Sequence, residues 1–480
     1  MKRKPLKESF HLEKAPTGIR GLDKITRGGL PAGRPTLVCG GPGCGKTVLS
    51  MEFLVRGALE YDEPGLFLSF EENKTGLIQN FHSMGFDLEA LMDKGQLKIS
   101  EINLDHGEII EAGDFSLDGL FIQIEHNIDA IGARRIVLDT IGKFFSVLSD
   151  SATLRREISR LFDWLREKGM TAIITGERGD QQLTRHGLEE YVSDCVIFLD
   201  HRVEDQISKR RLRIVKYRGS AHGVDEYPFV IGQQGITVFP ITSATLDHDV
   251  DQKRVSTGVE SLDEMFGSKG YYKGSTVLVT GKAGTGKSSL SAAFVAAACE
   301  RGERALYFAF EESPSQIVRN MRSVGLDLQP SIEKGLLEIH AFRPSLRGLE
   351  EHLISITETV DAFNPSCVVM DPISGMINIG SRHEVKSMLT RVLDRLKSRG
   401  VTLFFTSLIP GTSNPEVTES DISSLMDTWI ALDYSYQDRT RTRKIYVVKS
   451  RGMDHSSHKN RFVINSEGLS VEGIETEKHQ

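Results

Sequence analysis

Positive charge is not in excess in this sequence of 480 residues, which has 59 lysines and arginines against 66 aspartates and glutamates and a net charge of −7. Proteins that bind DNA or RNA over a broad surface present clustered cations to the phosphate backbone. A local basic channel is compatible with an acidic total, but the balance argues against a nucleic-acid partner, and we expect none.

Cysteines and long apolar runs are also scarce. The five cysteines, at positions 39, 44, 195, 299 and 367, are scattered and odd in number, so neither a disulfide framework nor a structural zinc site is indicated. Stretches such as LSAAFVAAA are far shorter than the roughly 18 residues that span a bilayer, and the basic start MKRKPLKESF has no apolar segment behind it. We expect a cytoplasmic protein without a membrane segment.

The sequence does contain a duplication. TGIRGLD at 17–23 returns as TGVESLD at 257–263, GGPGCGKT at 40–47 as GKAGTGKS at 281–288, and FLSFEE at 67–72 as YFAFEE at 307–312. RRIVLD and CVVMD form a fourth pair, and KYRGSAH at 216–222 returns as KSRGMDH at 449–455. Five landmarks in unchanged order indicate a duplicated domain rather than a short-period repeat.

Each copy alternates short β-branched runs, such as TLVC, LFLSF and RIVLD, with longer helix-period stretches such as TVLSMEFLVRGALE. This alternation predicts an α/β fold of βαβ units around a largely parallel sheet. The polar stretch at 242–256 is the predicted seam. We therefore assign a first domain to residues 1–245 and a second to residues 246–480.

The motif G-x-x-x-x-G-K-[ST] occurs in each copy, after a strand and before a helix, which is the context that a P-loop requires. Its backbone N–H groups close around phosphate oxygens, its lysine reaches the β- and γ-phosphates, and its hydroxyl ligates Mg²⁺. We therefore predict ATP and Mg²⁺ at two sites. The predicted contacts are Gly41, Pro42, Gly43, Cys44, Gly45, Lys46, Thr47 and Val48 in the first copy and Ala283, Gly284, Thr285, Gly286, Lys287, Ser288 and Ser289 in the second.

Acidic residues end two other predicted strands in each copy. Asp139 and Asp371 follow apolar runs and suit the Walker B role of holding Mg²⁺ through water. Glutamate pairs, Glu71–Glu72 and Glu311–Glu312, end the other runs. A carboxylate there can accept a hydrogen bond from a nucleophile aligned on the γ-phosphate, so we predict the glutamates as catalytic and Glu311 also as a metal ligand.

The motif K-x-R-G-x-x-H ends a basic strand late in each copy. Lysine and arginine commonly protect a solvated edge strand, which is the alternative interpretation. Repetition of the spacing favours instead a cation on the γ-phosphate, often supplied by a neighbouring subunit, with the lysine and arginine catalytic. The motif residues are Lys216, Tyr217, Arg218 and His222 in the first copy and Lys449, Ser450, Arg451 and His455 in the second.

Two P-loop domains, each with FEE after the P-loop helix and K-x-R-G near its end, resemble the KaiC family of hexameric circadian-clock ATPases along almost the whole chain. The resemblance implies tandem RecA-like P-loop NTPase domains, each a mostly parallel twisted sheet flanked by helices. It also implies a homohexamer with ATP at subunit boundaries, hexamers that can pair, and K-x-R-G cations acting on the adjacent protomer's nucleotide. It puts Ser83 near the first-domain nucleotide and Arg443 at the second site.

The family's phosphoacceptor pair corresponds to Ser423 and Ser424, with Thr418 just upstream. By the resemblance, the first-domain glutamate orients water for ATP hydrolysis. In the second domain Glu311 orients a serine hydroxyl from a neighbouring subunit for autophosphorylation, which the family also reverses as an autophosphatase. Without the resemblance, two adjacent serines would be ordinary loop or cap residues.

Three departures from the family pattern matter. The acceptor pair is Ser-Ser where the family has Ser-Thr, and Tyr217 and Ser450 replace apolar residues in the K-x-R-G motifs. The ending EGLSVEGIETEKHQ lacks most of the tail through which KaiA stimulates the family's kinase. We therefore do not expect KaiA as a partner, and a KaiB-like protein or a histidine kinase stays open.

Three functions compete. The leading hypothesis is a KaiC-like ATPase and autokinase acting as a slow signalling device. A RecA-type DNA-dependent ATPase shares the fold and most motifs, but the acidic total counts against it. A nucleotide-stabilised signalling scaffold is the non-enzymatic alternative, and the retention of the P-loop lysine and the glutamates in both copies disfavours it.

Overall fold

The computed structural model describes residues 12–102, 117–142, 151–179, 193–204, 207–240, 251–344, 348–409, 422–437 and 440–473. The chain divides into two compact units, Met1–Ile241 and Thr242–Gln480. Thr418, which the sequence places beside the predicted phosphoacceptors, lies outside the described residues. Within the described residues, no helix combines the length and apolar character needed to cross a membrane.

The first unit follows the alternation that its sequence predicts. Its described strands are β1 (Lys14–Ala15), β2 (Leu30–Pro31), β3 (Pro35–Gly40), β4 (Gly65–Ser69), β5 (Leu97–Glu101), β6 (Arg135–Asp139), β7 (Thr171–Glu177), β8 (Cys195–Glu204), β9 (Ile207–Tyr217), β10 (Tyr227–Gly232) and β11 (Gly235–Val238). Its described helices are α1 (Leu22–Ile25), α2 (Lys46–Tyr61), α3 (Lys74–Ser83), α4 (Leu88–Asp93), α5 (Asp118–Ile131) and α6 (Ser151–Glu167).

The second unit repeats this order of elements. Its described strands are β12 (Arg254–Val255), β13 (Tyr271–Tyr272), β14 (Thr276–Gly281), β15 (Ala305–Ala309), β16 (Leu337–Ala341), β17 (Cys367–Asp371), β18 (Thr402–Leu408), β19 (Thr428–Gln437), β20 (Thr440–Ser450), β21 (Asn460–Asn465) and β22 (Gly468–Glu472). Its described helices are α7 (Glu260–Glu264), α8 (Lys287–Glu300), α9 (Pro314–Arg322), α10 (Gln329–Glu333), α11 (Leu349–Phe363) and α12 (Arg382–Lys397), with 3₁₀ turns at Ile373–Asn378 and Ile422–Leu425.

Each unit is built on a nine-stranded sheet with the P-loop strand in its middle. The order is β11-β10-β9-β8-β3-β7-β6-β4-β5 in the first unit and β22-β21-β20-β19-β14-β18-β17-β15-β16 in the second. Strands β3 to β8 and β14 to β19 pair in parallel, and the remaining strands of each sheet extend it in antiparallel pairs. The prediction of mostly parallel α/β sheets is confirmed.

The P-loop strands are continuous apolar runs because helices cover both faces of a parallel sheet. All six residues of β3 and all six of β14 are buried. The helix after each P-loop packs into the core, through Leu49 and Phe53 on α2 and through Leu290 and Phe294 on α8. The sheet core therefore fixes the phosphate-binding turn at the carboxyl edge of each sheet, where α/β proteins bind ligands.

Candidate functional site

Each P-loop is a tight turn between a central strand and a helix N-terminus. Gly45 and Gly286 directly precede α2 and α8 with φ of 103° and 102°, a left-handed conformation that favours glycine. A Cβ on Gly286 would lie 2.5 Å from Ile464 Cδ1, so the turn also lacks space for a side chain. The helix N-terminus consequently directs its backbone N–H groups at the loop, as a phosphate site requires.

The P-loop lysines fold back over their own loops. Lys46 Nζ donates to the carbonyls of Gly40 and Gly41 at 2.9 and 3.0 Å. Lys287 Nζ donates to the matching carbonyls of Gly281 and Lys282, both at 2.9 Å. Each ammonium is thus held over the mouth of its loop, where a phosphate oxygen can accept from it.

The predicted acidic residues meet at the same sheet edge as the P-loop. Asp139 pairs with Ser69, the last residue of β4, and Asp371 pairs with Ala309, the last residue of β15. Each glutamate pair begins two residues after that strand ends. The backbone N–H groups of Phe70 and Phe310 donate to the aspartate carbonyls, both at 2.9 Å. Each glutamate pair therefore emerges directly beside its aspartate.

Opposite charges are coupled at the second P-loop. Burial lowers the pKa of Lys287, and Asp371 and Glu311 oppose that shift. Burial, followed by repulsion from Asp371, raises the pKa of Glu311, while Lys287 lowers it. These mutual effects bring Lys287, Glu311 and Asp371 into one electrostatic cluster, and a carboxylate with a raised pKa beside a phosphate-binding lysine is a candidate general base.

The second glutamate of each pair is held by the helix that follows it. Asn80 Nδ2 donates to Glu72 Oε2 at 3.3 Å, and Asn320 Nδ2 donates to Glu312 Oε2 at 3.1 Å. Asn80 and Asn320 lie on helices whose starts are fixed by caps, with Asn73 accepting from Gly76 N–H and Ser313 forming a capping box with Gln316. The second glutamate is therefore tied to the next helix, and this arrangement favours the first one for contact with a nucleophile.

Threonines orient the two Walker B aspartates. Thr175 Oγ1 donates to Asp139 Oδ1, and Thr406 Oγ1 donates to Asp371 Oδ1. In the second unit Tyr307 also donates its hydroxyl to Asp371 Oδ2, at 2.5 Å. No local motif indicates these supporting hydroxyls, although the two threonines occupy matching positions in the two copies.

The donors at the carboxyl edge suit Mg²⁺, because they are hard oxygens: the hydroxyls of Thr47 and Ser288 and the carboxylates of Asp139, Asp371 and Glu311. Among the residues that the structure describes, no group of three or more His, Cys, Asp or Glu forms a metal cage by itself. Mg²⁺ sites in nucleotide enzymes typically combine one or two carboxylates with substrate phosphates, so the donor set fits that ion.

The K-x-R-G motif of the second unit lies at the amino-terminal ends of the parallel strands, whereas its own P-loop lies at their carboxyl-terminal ends. Lys449 and Ser450 pair with Trp429 and Thr428 at the start of β19, and Thr428 is level with Val277 near the start of β14. The P-loop follows the far end of β14. Four residue steps of about 3.3 Å from Val277 to the end of β14 make a separation of roughly 13 Å before the loop begins.

The first unit has the same arrangement. Lys216 and Tyr217 pair with Val196 and Cys195, and Cys195 is level with Thr36 near the start of β3. The P-loop again follows the far end of that strand. The K-x-R-G cations and the phosphate-binding loop of one unit are therefore not brought together.

Ser423 and Ser424 lie beside the K-x-R-G cations. Both belong to the 3₁₀ turn before β19, with Ser423 half-buried and Ser424 exposed. Lys449 Nζ donates to the Ser423 carbonyl at 2.5 Å, and Arg451 Nη2 donates to the Ser424 carbonyl at 2.7 Å. We call residues 422–427 together with 449–451 the acceptor edge.

The acceptor edge is an environment that attracts anions. Burial and the neighbouring Arg451 hold the pKa of Lys449 below its usual value, against the attraction of Asp427. A phosphate brought to this edge would relieve the repulsion between the two cations. The cations at 449 and 451 are therefore suited to an external phosphate group.

The other motif residues have structural partners. The Tyr217 side chain is buried and donates to the Gly29 carbonyl at 2.9 Å. Ser450 Oγ lies 2.9 Å from Thr428 Oγ1. His222 Nδ1 donates to the Gly223 carbonyl and His455 Nδ1 to the Ser456 carbonyl, at 2.8 and 3.1 Å.

Ser83 and Arg443 occupy different settings. Ser83 ends α3 and donates its hydroxyl to the Asn80 carbonyl at 2.7 Å, on the helix that holds Glu72. Arg443 Nε donates to the Gly284 carbonyl of the second P-loop at 3.2 Å. Tyr434, which belongs to no motif of the sequence, donates to the preceding carbonyl, that of Ala283, also at 3.2 Å, so β19 and β20 support this loop.

Comparison with known proteins identifies relatives along nearly the whole chain. A family model described as an ATPase, KaiC, matches residues 15–243 and 255–476. A circadian clock protein KaiC2 of Synechocystis is 50% identical over 466 residues, which cover 97% of this chain and 82% of the relative. A circadian clock oscillator protein KaiC of Parathermosynechococcus lividus is 38% identical over 472 residues, 98% of this chain and 87% of the relative.

Proposed function

The chain belongs to the KaiC ATPase family, and from that premise we propose that its first domain hydrolyses ATP and its second phosphorylates Ser423 or Ser424 of a neighbouring copy. Both P-loops, both Walker B aspartates and both glutamate pairs are retained. The family match also favours this function over a DNA-dependent motor. The two domains differ in the nucleophile that reaches the γ-phosphate.

One observation supports the proposal that the phosphorylated serine comes from a different protomer than the ATP-binding site. The acceptor edge and the P-loop of the second unit lie at opposite ends of the same strands, β14 and β19. A serine needs to approach the γ-phosphate to about 3–3.5 Å in order to react. The second unit keeps its own serines too far away, so a neighbouring copy supplies them.

In the second domain, Lys287 binds the phosphates, and Ser288, Asp371 and Glu311 would hold Mg²⁺, which would offset charge on the transferring phosphoryl group. Glu311 accepts the serine proton as the hydroxyl oxygen bonds to the γ-phosphorus, while the bond from that phosphorus to the β,γ-bridging oxygen breaks and ADP leaves. Lys449 and Arg451 of the copy that presents the serine add positive charge beside the γ-phosphate.

In the first domain, Lys46 binds the phosphates, and Thr47 and Asp139 would hold Mg²⁺. Glu71, beside Asp139, orients a water molecule instead of a serine. Lys216 and Arg218, at the edge away from their own P-loop, serve the nucleotide of the adjacent copy. Glu72 supports this site through Asn80 on α3.

These sites need a closed ring if every nucleotide is to receive a neighbour's cations, because a head-to-tail contact that does not close leaves incomplete sites at its ends. We propose a homohexamer with ATP in each seam. The relatives are named for the circadian clock, and we propose a timing or signalling role with a KaiB-like protein or a histidine kinase as partner.

Mixed assemblies test transfer between copies. Lys287→Ala chains keep both serines but lose the phosphate-binding lysine of the second site. Chains with Ser423→Ala and Ser424→Ala keep that site but lack acceptors. Mixed without nucleotide and then given γ-labelled ATP, they are expected to label the serines of the Lys287→Ala chain, which a size tag identifies.

Each variant alone is the control and is expected to stay unlabelled. If the wild-type protein is labelled but the mixture of the two variants is not, the result contradicts transfer between copies. Label in the Lys287→Ala protein alone would remove the second P-loop as the phosphate donor.

A further inference from the structure

A buried hydroxyl relay surrounds Asp371 in the second unit. The Tyr307 hydroxyl donates to Asp371 Oδ2 and lies 2.9 Å from Ser291 Oγ, while Thr406 donates to Asp371 Oδ1. Tyr307, Ser291 and Thr406 are 0% exposed, and Asp371 is 8% exposed. Hydroxyl donors therefore hold both oxygens of this carboxylate in fixed positions.

The relay continues to the P-loop helix. Ser291 Oγ lies 2.9 Å from the Ser288 carbonyl as well as 2.9 Å from the Tyr307 oxygen. Tyr307 donates its single hydroxyl proton to Asp371. Ser291 can therefore donate its own proton either to the Tyr307 oxygen or to the Ser288 carbonyl, but not to both at once. The relay thus joins Ser288 and Asp371, the residues proposed to hold Mg²⁺ from the P-loop and from the Walker B strand.

The first unit has the matching serine and the threonine donor of this relay, but a phenylalanine replaces the tyrosine. Ser50 follows Lys46 by four residues as Ser291 follows Lys287, and Phe67 precedes Glu71 by four residues as Tyr307 precedes Glu311. Ser50 Oγ is buried and has no hydrogen-bond partner among the described residues. Phe67, which is fully buried, offers no oxygen to it. Asp139 keeps its threonine donor, Thr175.

We propose that Tyr307 is a positioning residue that fixes the orientation of the Asp371 carboxylate for its role at Mg²⁺, so that the second site would hold Mg²⁺ more tightly than it would with phenylalanine. The inference rests on the proposed metal role of Asp371. Groups that hydrogen-bond to metal ligands fix their orientation, and their loss typically lowers metal affinity about 10- to 100-fold.

A Mg²⁺ titration of nucleotide binding tests this role. In full-length protein carrying Lys46→Ala, so that the second site dominates, binding of a fluorescent ATP analogue is followed as Mg²⁺ is added. Tyr307→Phe is expected to raise the half-saturating Mg²⁺ concentration about 10-fold or more. An unchanged midpoint overturns the proposal.

Ser291→Ala separates orientation of the carboxylate from loosened packing, because it leaves both donors of Asp371 in place. It is expected to move the Mg²⁺ midpoint less than Tyr307→Phe does. An equal shift would mean that packing around the relay sets the midpoint, and would overturn the role of the Tyr307 hydroxyl.

The reciprocal change keeps the proposal testable if Tyr307→Phe does not fold. In full-length protein carrying Lys287→Ala, Phe67→Tyr is expected to supply a partner to Ser50 and a second donor to Asp139, and so to lower the Mg²⁺ midpoint of the first site. A midpoint that does not fall counts against the relay.

Asp371→Asn in the Lys46→Ala background distinguishes failure of the inference from failure of the proposed function. A midpoint unaffected by Asp371→Asn would remove the metal role itself. A midpoint raised by Asp371→Asn but not by Tyr307→Phe would remove the role of the tyrosine alone.

Discussion

At the scale of single residues, two adjacent glutamates have different surroundings. Glu311 is coupled to Lys287 and Asp371, whereas Glu312 accepts a hydrogen bond from Asn320 on the following helix. The first unit repeats the second of these contacts, between Glu72 and Asn80. The two adjacent carboxylates therefore have different contacts, with Glu311 coupled to the P-loop lysine and Glu312 tied to the helix after the strand.

We expect Glu311→Gln to bind ATP but to lower labelling of Ser423 and Ser424 about 100-fold or more, because general bases contribute about 10²–10⁴ to rate. Labelling with γ-labelled ATP and peptide mapping measure the loss. Glu312→Gln is the matched control and is expected to keep most of the labelling, since an amide oxygen can still accept from Asn320. Full labelling of the Glu311→Gln protein would exclude Glu311 as the base.

At the scale of elements, Asp427 joins the starts of two central strands to the end of a helix. Its carboxylate accepts from Thr276 N–H and Oγ1 at 2.9 and 2.8 Å and from Lys397 Nζ at 2.7 Å. Burial acts to raise the pKa of Asp427, but the contacts with Lys397 and Thr276 outweigh it and hold the pKa below its usual value. The carboxylate thereby fixes the turn that carries the two serines.

We expect Asp427→Asn to destabilise the second unit by about 1.5–3 kcal/mol at pH 7, since hydrogen bonds to charged groups are worth that order. A carboxylate with a lowered folded-state pKa stabilises the fold above its unfolded pKa of about 3.9, and this contribution is lost as the pH falls through the lower value. The difference in the free energy of unfolding between the wild type and Asp427→Asn should therefore shrink as the pH falls from about 5 to about 3.

Urea unfolding followed by tryptophan fluorescence measures this difference. The chain has two tryptophans, Trp164 in the first unit and Trp429 in β19, so a Trp164→Phe background reports the second unit alone. A deficit of the same size at pH 7 and pH 3 would show that packing, not the charge of Asp427, supports the turn.

The sequence predicted the elements that carry local signals. The P-loop glycines and the apolar strands are patterns of a few residues, and their repetition in the second copy strengthened each prediction. The contact of Tyr307 with Asp371 spans 64 positions and that of Lys449 with Ser423 spans 26, so no local pattern shows either. The antiparallel extension of each sheet, which carries K-x-R-G away from its own P-loop, depends on strand order in the same way.

At the scale of the whole molecule, each unit separates its phosphate-binding loop from its own K-x-R-G cations. Each unit has a phosphate-binding loop at the carboxyl-terminal ends of its parallel strands and cations suited to a phosphate at their amino-terminal ends. A ring of copies would complete every site, and a nucleotide bound only in completed seams stabilises the ring by mass action. ATP would then be part of the assembly as well as the substrate.

The native mass of the purified chain with ATP and Mg²⁺, and again after nucleotide removal, tests this most directly. We predict an ATP-loaded species near six times the 53.4 kDa protomer, which shifts toward the protomer mass when nucleotide is removed. A chain that stays at 53.4 kDa with ATP bound at both P-loops would contradict the account.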